Sequence, residues 1–365
     1  MAPPANESFY SYEAKYGNFH APEADILING QLTKLSEMAI SWVDVELTTD
    51  PKADVAKFCI TNGYEWNPTK LKWIGSQIAV GHSLTIKLGY ADKKKAVFDG
   101  IITGYTLEYP SDGSPNIIVT GMDRTFLMMK TAHSKVWLKS KVSDVVSSIA
   151  SEYGLSPEVE ATTIVKNTIE QIGVSDFHFL RSLASDHGRL FYVMDKKLYF
   201  KKPQFSGTPA LHLKYGVNLH HFTLQVDVTG QTSEIIVRGY DVDKKTHIEY
   251  QAKGIDTMIG GGNKSGPTLA KQLSTKKVEM VYTQASSEAE AKELAGAMLE
   301  RMARELVRGN GACAGIPDIV PGKLIEISGL GTTPDRQKLL LTKVSHRLDA
   351  IDGYMTHFEA EGNSI

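Results

Sequence analysis

Two stretches far apart in this chain carry the same pattern of glycines and alternating apolar residues. In each stretch a leading glycine, Gly81 or Gly322, is followed 40 residues later by a closing glycine, Gly121 or Gly362. The other shared features are Leu84, Ile86 and Asp112-Gly113 in the first stretch, and Ile325, Ile327 and Asp352-Gly353 in the second. Apolar alternation is typical of half-buried strands, and Asp-Gly pairs favour tight hairpin turns. The pattern predicts a duplicated β unit, although chance can also produce it because these features are common in β proteins.

The first third of the chain has the pattern of antiparallel β structure. Apolar residues alternate over 38–42 and then change parity over 43–47, as expected for a strand with a β-bulge. Further alternation follows at 84–88 and 117–119, with a turn-forming segment at 110–115. Residues 35–125 are therefore predicted to form antiparallel strands.

Residues 131–205 differ from their surroundings and predict a small α/β insertion. Apolar residues at helical spacing from Val142 to Tyr153, followed by Gly154, indicate an amphipathic helix. A second helix is predicted to begin at the N-cap Ser175 and to end at Gly188. The stretch 190–200 is typical of a hairpin that turns at Asp195-Lys196-Lys197.

Strand-like alternation returns in the last part of the chain, at 222–228, 235–237 and 278–282. The clearest helical pattern spans 287–308, with acidic residues near its N-terminus, arginines near its C-terminus and Gly309 beyond it, as the helix dipole and a glycine cap favour. The glycine-rich segment 254–266 predicts a flexible loop.

These patterns predict a mainly β protein with an α+β insertion. The predicted fold consists of two related antiparallel β-barrel (tube-like) domains and a small α/β domain. The predicted domains are residues 1–130 for the first barrel, 131–205 for the insertion, and 206–365 for the second barrel with its helix at about 287–308. A length of 365 residues favours several domains, because single cores seldom grow so large.

Charge and composition exclude several classes of protein. Forty basic and 42 acidic residues leave a net charge of -2, too little positive charge to make nucleic acid or an anionic membrane the main partner. Cys59 and Cys313 lie far apart and are predicted to be free, buried thiols. The N-terminal residues lack the basic region and apolar stretch of a signal peptide, and no apolar stretch reaches membrane-spanning length, so we expect synthesis and assembly in the cytoplasm.

Three glycine-containing motifs resemble reactive or ligand-binding signatures but each lacks an essential part. The segment 81–85 has Thr85 where a nucleophile elbow requires glycine. The segment 260–266 has Asn263 where a phosphate loop requires glycine before lysine. The segment 309–315 misses the dinucleotide-binding spacing by one residue and follows a predicted helix instead of a strand.

The histidines and nearby acids also fail to predict a metal site. His220 and His221 are adjacent, and adjacent strand residues point to opposite faces. Within the group Asp176, His178, Asp186 and His187, the two histidines are nine residues apart on a helix, roughly 90° from sharing a face. We therefore assign no catalytic, cofactor-binding or metal-binding residue, and we expect no cofactor.

Several segments carry a distinctive combination of motifs. They are Ile86-Lys87-Leu88-Gly89-Tyr90, Val97-Phe98-Asp99-Gly100-Ile101-Ile102 and Asp123-Arg124 within 81–130, Val142-Ser143-Asp144-Val145-Val146 with Tyr153-Gly154-Leu155, the long motif 175–193, and Pro321-Gly322-Lys323-Leu324-Ile325-Glu326-Ile327-Ser328-Gly329. The combination resembles the phage late control D (baseplate hub) family. The similarity spans about 80–360, and the motif at 175–193 is its most specific part.

This family includes baseplate hubs of contractile phages and the N-terminal hub part of type VI secretion valine-glycine repeat spike proteins. The resemblance implies a non-enzymatic structural subunit that forms a homotrimer. Two related barrels per chain then give six per ring, so that a threefold spike can meet a sixfold inner tube. The implied partners are a spike protein, the inner tube or a tube-initiator protein, and other baseplate proteins.

The chain stops at Ile365 directly after the second predicted unit, whereas the fused spike proteins continue. We therefore expect a separate spike polypeptide. The alternative function is a tail-associated peptidoglycan hydrolase, because two carboxylates distant in sequence can meet in space. A carbohydrate-binding β module is disfavoured, because aromatic residues make up 8% of the chain and do not gather into one segment.

Overall fold

The computed structural model describes residues 7–33, 37–50, 52–242, 244–273, 285–332 and 335–365. Its helices are α1 Glu7–Lys15, α2 Thr125–Met128, α3 Val142–Glu152, α4 Asp176–Asp186, α5 Gly266–Leu273 and α6 Glu288–Arg304. Its first strands are β1 Pro22–Ile28, β2 Gln31–Leu32, β3 Ile40–Thr48, β4 Val55–Ile60, β5 Tyr64–Trp66, β6 Thr69–Leu71, β7 Ser83–Tyr90, β8 Lys93–Glu108, β9 Asn116–Met122, β10 Ala132–Lys141 and β11 Ser156–Val159.

The remaining strands are β12 Val165–Ser175, β13 Leu190–Met194, β14 Lys197–Lys201, β15 Leu211–Lys214, β16 His221–Val226, β17 Ile235–Asp241, β18 Thr246–Ala252, β19 Val307–Ala314, β20 Leu324–Ser328, β21 Gln337–Asp349 and β22 Gly353–Gly362. The mainly β fold class with an α+β insertion is confirmed. The predicted strand at 278–282 lies outside the described residues.

The first β unit is the run of strands in the order β1-β7-β8-β9-β4-β3, and all of its pairs are antiparallel. The predicted bulge in β3 is present, between Ile40 and Trp42. From Val43 onward alternate side chains of this strand enter the core, because a bulge shifts which residues face inward. The parity change in the sequence therefore marked a real distortion.

The second β unit has the order β15-β20-β21-β22-β19-β16. Within each run, the strand that comes first in the chain lies at one end, next to the fourth, and the strand that comes second lies at the other end, next to the third. One pair differs: β15 runs parallel to β20, whereas β1 runs antiparallel to β7. The shared order of six strands supports a duplication.

Hydrogen bonds fix the residue correspondence between the units. Gly81 N donates to Ile102 O at 2.9 Å, and Gly322 N donates to Leu341 O at 2.8 Å. In both strands the residue that follows is a threonine at a β-bulge: Thr103 in β8 and Thr342 in β21. Each threonine hydroxyl donates across the sheet to a backbone carbonyl at 3.3 Å.

The pairings continue this correspondence across each sheet. The rows of directly opposite residues are Ile102, Gly121, Ala56 and Val45 in the first unit, and Leu341, Ala360, Gly309 and Leu224 in the second. Gly121 therefore corresponds to Ala360 and not to Gly362, so the match of the closing glycines was wrong. The offset of two residues arises earlier, because Ile102 follows Gly81 by 21 residues whereas Leu341 follows Gly322 by 19. From there to Gly121 and to Ala360 the spacing is 19 residues in both units.

The two units share one sheet of thirteen strands and one hydrophobic core. β21 pairs with β3 of the first unit, and the core includes Phe58, Ile86 and Val119 from one unit together with Ile325 and Leu341 from the other. All five of these side chains are at most 1% exposed. Burial on this scale stabilises each by about 1.5–3 kcal/mol, so the units are held together by the same force that folds each of them.

The insertion has a separate core between α3, α4 and its small sheets. Both predicted helices are confirmed, and the Ser175 hydroxyl caps α4 by accepting from His178 N. The predicted hairpin is β13–β14, with Asp195 and Lys196 in left-handed conformations at its turn. The long ribbon β10–β12 was not predicted. Many of its side chains face solvent, so its apolar alternation is weak.

Helix α6 begins as predicted but ends earlier. The Ser287 hydroxyl accepts from Glu290 N, and the apolar stripe of the helix packs on β17 and β18. The helix ends at Arg304 instead of Arg308, because Val307 already begins β19. That strand pairs on both sides and buries Val307 completely, so sheet pairing prevails over helical propensity there.

The glycine-rich segment predicted to be a flexible loop is bound to the C-terminal residues. Ile259 N donates to Asn363 Oδ1 at 2.7 Å, and Lys264 and Ile365 exchange two backbone hydrogen bonds of 3.0 Å. Glycine is required because a side chain would collide with the other segment: a Cβ on Gly262 would lie 2.0 Å from the Ile365 carbonyl carbon. Composition indicated flexibility, whereas the tertiary contact explains the glycines.

We expect Gly262→Ala to lower the free energy of unfolding by about 2 kcal/mol, because its methyl group would overlap the backbone of Ile365. The matched control is Gly254→Ala, since nothing lies within 4 Å of a Cβ at Gly254. The control should change stability by no more than about 0.5 kcal/mol. Urea unfolding of both variants would measure this, and equal stabilities would contradict the packing described here.

Candidate assembly site

The junction between the two β units is the pairing of β3 with the C-terminal half of β21. Residues 42–48 run antiparallel to 343–349, and the inward row pairs Val344 with Leu47, His346 with Val45, and Leu348 with Val43. All of these side chains except that of Leu348 are at most 3% exposed. The junction is thus an internal interface with the packing of a protein core.

The other face of the junction is polar. Lys343 Nζ lies 2.9 Å from Glu46 Oε2, and the Ser345 hydroxyl donates to Asp44 Oδ1 at 2.9 Å. The backbone of Thr49 extends the ladder by donating to Thr342 O at 2.8 Å. Cross-strand pairs of this kind stabilise one register. A slip by one residue would break these pairs and would also turn the inward row toward solvent.

One polar side chain, His346, is buried within the apolar row. Its Nε2 lies 3.0 Å from Ile319 O and donates to that carbonyl, which leaves Nδ1 to accept from the Tyr354 hydroxyl at 3.0 Å. Complete burial lowers the pKa of His346 from 6.5 to about 4. The imidazole is therefore neutral near pH 7 and serves as a hydrogen-bonding bridge between β21, β22 and the segment before β20.

The segment 81–85 has the structure expected of a strand start and not that of a nucleophile elbow. Ser83 is the first residue of β7, and its backbone N donates to Asn29 Oδ1 at 3.0 Å. His82 Nδ1 lies 2.9 Å from Gln77 O. The glycines of 309–315 likewise lie in and directly after β19, where Gly309 and Gly311 make room for the rings of Phe222 and Phe358.

The histidines and acids singled out in the sequence have separate partners. His178 Nδ1 lies 2.8 Å from Ser175 Oγ, and His187 Nδ1 lies 3.0 Å from Glu293 Oε1 on α6. Asp176 accepts from the Tyr153 hydroxyl at 2.7 Å. In the parts of the chain that the structure describes, no three or more His, Cys, Asp or Glu side chains are grouped to hold a metal ion.

The adjacent pair His220-His221 is also divided. His220 N donates to Ala312 O, whereas the His221 ring lies 6.2 Å from that of His357 on the face of the second sheet. Cys59 and Cys313 are free and buried, as predicted. Burial raises the pKa of Cys313 to about 12, so this thiol stays protonated.

Two carboxyls that are distant in sequence do meet, which the sequence did not predict. Asp54 and Asp123 are both buried, and Asp123 N donates to Asp54 O at 3.1 Å. Burial raises the pKa of both groups, and repulsion from Asp123 raises that of Asp54 further. Asp54 Oδ1 accepts from Thr48 N, and Asp123 Oδ1 accepts from Thr125. These contacts hold the ends of β3 and β9 in place.

A cavity of about 530 Å³ lies between the insertion and α6. Its walls include the ion pair of Arg189 with Glu160 at 3.3 Å and the contact of His187 Nδ1 with Glu293 Oε1 at 3.0 Å. The second contact connects the insertion to α6. The cavity therefore marks a polar contact between the insertion and α6.

The fold of this chain is shared with phage tail proteins of known structure. It is similar to the 43 kDa tail protein of prophage MuSo2 from Shewanella oneidensis, with a TM-score of 0.70, 14% identity, and coverage of 93% of this chain and 98% of that chain. It is similar to a tail protein from Neisseria meningitidis MC58, with a TM-score of 0.69, 13% identity, and coverage of 94% and 97%.

A third similar structure is the E. coli c3393 protein, a component of the type VI secretion system with structural similarity to the T4 bacteriophage tail proteins gp27 and gp5. Its TM-score is 0.54 at 13% identity, with coverage of 93% of this chain and 77% of that chain. At these identities the likeness establishes the fold. The resemblance found in the sequence is confirmed at that level.

The chain belongs to the Alg8 N-terminal domain family, whose family model matches residues 21–350. No curated protein matches it. None of the helices that the structure describes is long and apolar enough to cross a bilayer.

We expect His346→Gln to flatten the pH dependence of stability between pH 6.5 and 4. The unfolded histidine takes up a proton near pH 6.5 and the folded one only near pH 4, so acidification favours unfolding of the wild type. This single group contributes up to about 3 kcal/mol across that window. Urea unfolding of both proteins at several pH values would show it, and parallel curves would contradict it.

We expect the stability of the Asp123→Asn variant relative to the wild type to increase as the pH rises from 5 to 8. The folded Asp123 keeps its proton to higher pH than the unfolded one, so the wild type loses stability as pH rises through the folded pKa. Asparagine retains an acceptor for Thr125 and does not ionise. The free energy of unfolding of the variant should rise by on the order of 2 kcal/mol relative to the wild type between these pH values. Urea unfolding would measure it, and a difference that stays constant with pH would contradict a raised pKa at Asp123.

Proposed function

We propose that this chain is a structural, non-enzymatic subunit of the baseplate hub of a contractile phage tail or phage-tail-like injection machine. Three copies form a ring that adapts a threefold spike to the sixfold inner tube. The observation that carries the proposal is the duplicated order of six strands within one chain, joined through β3 and β21. Three such chains offer six nearly equivalent positions around an axis.

The junction supports this role, because an adaptor must hold its two units in a fixed relation. The inward row around His346 and Val45 is buried, and the polar row around Lys343 and Glu46 fixes the register. Rotation of one unit against the other would break both rows. A rigid pair of units can then present the same kind of surface twice to a sixfold partner.

The similarity to solved tail proteins supports the same proposal. This chain spans nearly the whole length of the Shewanella and Neisseria tail proteins. We propose the domain division 1–130, 131–205 and 206–365, with the partners being a spike protein, the inner tube or its initiator, and other baseplate proteins. Assembly takes place in the bacterial cytoplasm, and the mature subunit resides in the baseplate.

The proposal predicts that particles from the producing bacterium carry this chain as a threefold ring between tube and spike. Deleting its gene should abolish assembled particles, because no hub is present to start the tube. Electron microscopy of purified particles measures both results, and expression of the wild-type chain from a plasmid is the control. Normal particles without the chain would overturn the proposal.

The same purified chain distinguishes the hub from a cell-wall hydrolase. Incubation with peptidoglycan should release no soluble fragments. Release that is lost on a single substitution, Asp54→Asn or Asp123→Asn, would assign the buried carboxyl pair a catalytic role and contradict a purely structural function.

A further inference from the structure

Among the strand edges that are unpaired in the described residues, two lie on the strands that the duplication relates to the internal junction, β16 and β8. β16 lies at the end of the sheet and pairs only with β19. β8 is bonded to β7 and the residues before it as far as Ile102, and beyond that residue only its β9 side is paired. Unpaired edges with apolar side chains tend to join other strands, and folded proteins usually cover them.

The duplication identifies what these edges correspond to. The bulged Thr103 and Thr342 align the two units, so Tyr105, Leu107 and Tyr109 take the positions of Val344, His346 and Leu348. The rows of directly opposite residues also align β3 with β16, because Val45 and Leu224 end the two rows. Phe222, Leu224 and Val226 therefore take the positions of Val43, Val45 and Leu47. The two free edges are therefore the counterparts of the two strands that form the internal junction.

Exposure separates the two sets of positions. Val344 and Leu47 are at most 3% exposed within the junction, whereas their counterparts Tyr105 and Val226 are 41% and 49% exposed. Tyr109, the counterpart of Leu348, is 61% exposed. Leu107, Phe222 and Leu224 are partly buried against the core of their own chain. The exposed parts of the two edges are Tyr105, Tyr109 and Val226, which a facing strand would cover.

We propose that β8 of one copy pairs antiparallel with β16 of a second copy, repeating between chains the junction that β21 and β3 form within one chain. The transferred register places Tyr105 opposite Val226, Leu107 opposite Leu224, and Tyr109 opposite Phe222. Every inward pair is then apolar. On the outer face Thr106 lies opposite Gln225, at the position where Ser345 lies opposite Glu46.

The occupant is a second copy because both halves of the interface belong to this chain. β8 and β16 are different surfaces, so the contact is head-to-tail, and repeated contacts of this kind form a ring when the rotation closes. Closure at three copies rests on the proposed hub function. In such a ring, internal and intermolecular junctions alternate, and the backbone bond from Thr49 N to Thr342 O has its counterpart from Val228 N to Thr103 O.

A disulfide tests the register directly. In the full chain carrying Tyr105→Cys and Val226→Cys, mild oxidation should link neighbouring copies, because directly opposite strand residues lie within disulfide reach. Up to three chains should be joined, as seen on a non-reducing gel and by intact mass. The native Cys59 and Cys313 are buried and do not compete.

The matched control carries Thr106→Cys with Val226→Cys, which keeps one cysteine and moves the other to the opposite face of the sheet. It should remain at least tenfold less linked than the test pair. Equal linking of both pairs would overturn the register.

The outcomes also separate this inference from the hub function. Chains that form trimers by light scattering, or that occupy the particles, yet stay unlinked would overturn the strand pairing and leave the hub function intact. Chains that are monomeric, unlinked and absent from particles would overturn both.

Discussion

The pairing of β3 with β21 is the constraint on which the rest of the structure depends. It joins two six-stranded units into one sheet and merges their cores, so that neither unit buries its apolar face independently of the other. The neutral, hydrogen-bonded His346 at its centre adds directional contacts to an otherwise apolar row. Apolar contacts supply most of the stability, whereas the polar contacts fix one register among several that would bury similar area.

A duplicated unit needs its two copies to differ where they meet different neighbours. β15 is parallel to β20 although β1 is antiparallel to β7, and Leu107 stands where the second unit has His346. The insertion between the units forms its own core and contacts α6 through His187 and Glu293. The chain thus combines a repeated framework with local differences between its two copies.

Local patterns predicted the elements whose side chains alternate between core and solvent. The bulge in β3, both helices of the insertion and the hairpin at 190–201 follow from periodicity, the Ser175 cap and turn residues. The ribbon β10–β12 was missed because its apolar residues, such as Leu138 and Ile172, are exposed and produce no clear period. The end of α6 was misplaced because β19 is decided by pairing on both of its sides.

The sequence by itself determined the β-rich class and the absence of a complete reactive motif, and it indicated the duplication, because these depend on local spacing and on residue type. Only the tertiary structure decided that Gly121 matches Ala360, that Asp54 meets Asp123, and that the segment around Gly262 is held by the C-terminal residues. Each of these depends on contacts between residues far apart in the chain. Such contacts depend on the spacing of strands and the lengths of loops together, and a local sequence pattern does not contain that combined information.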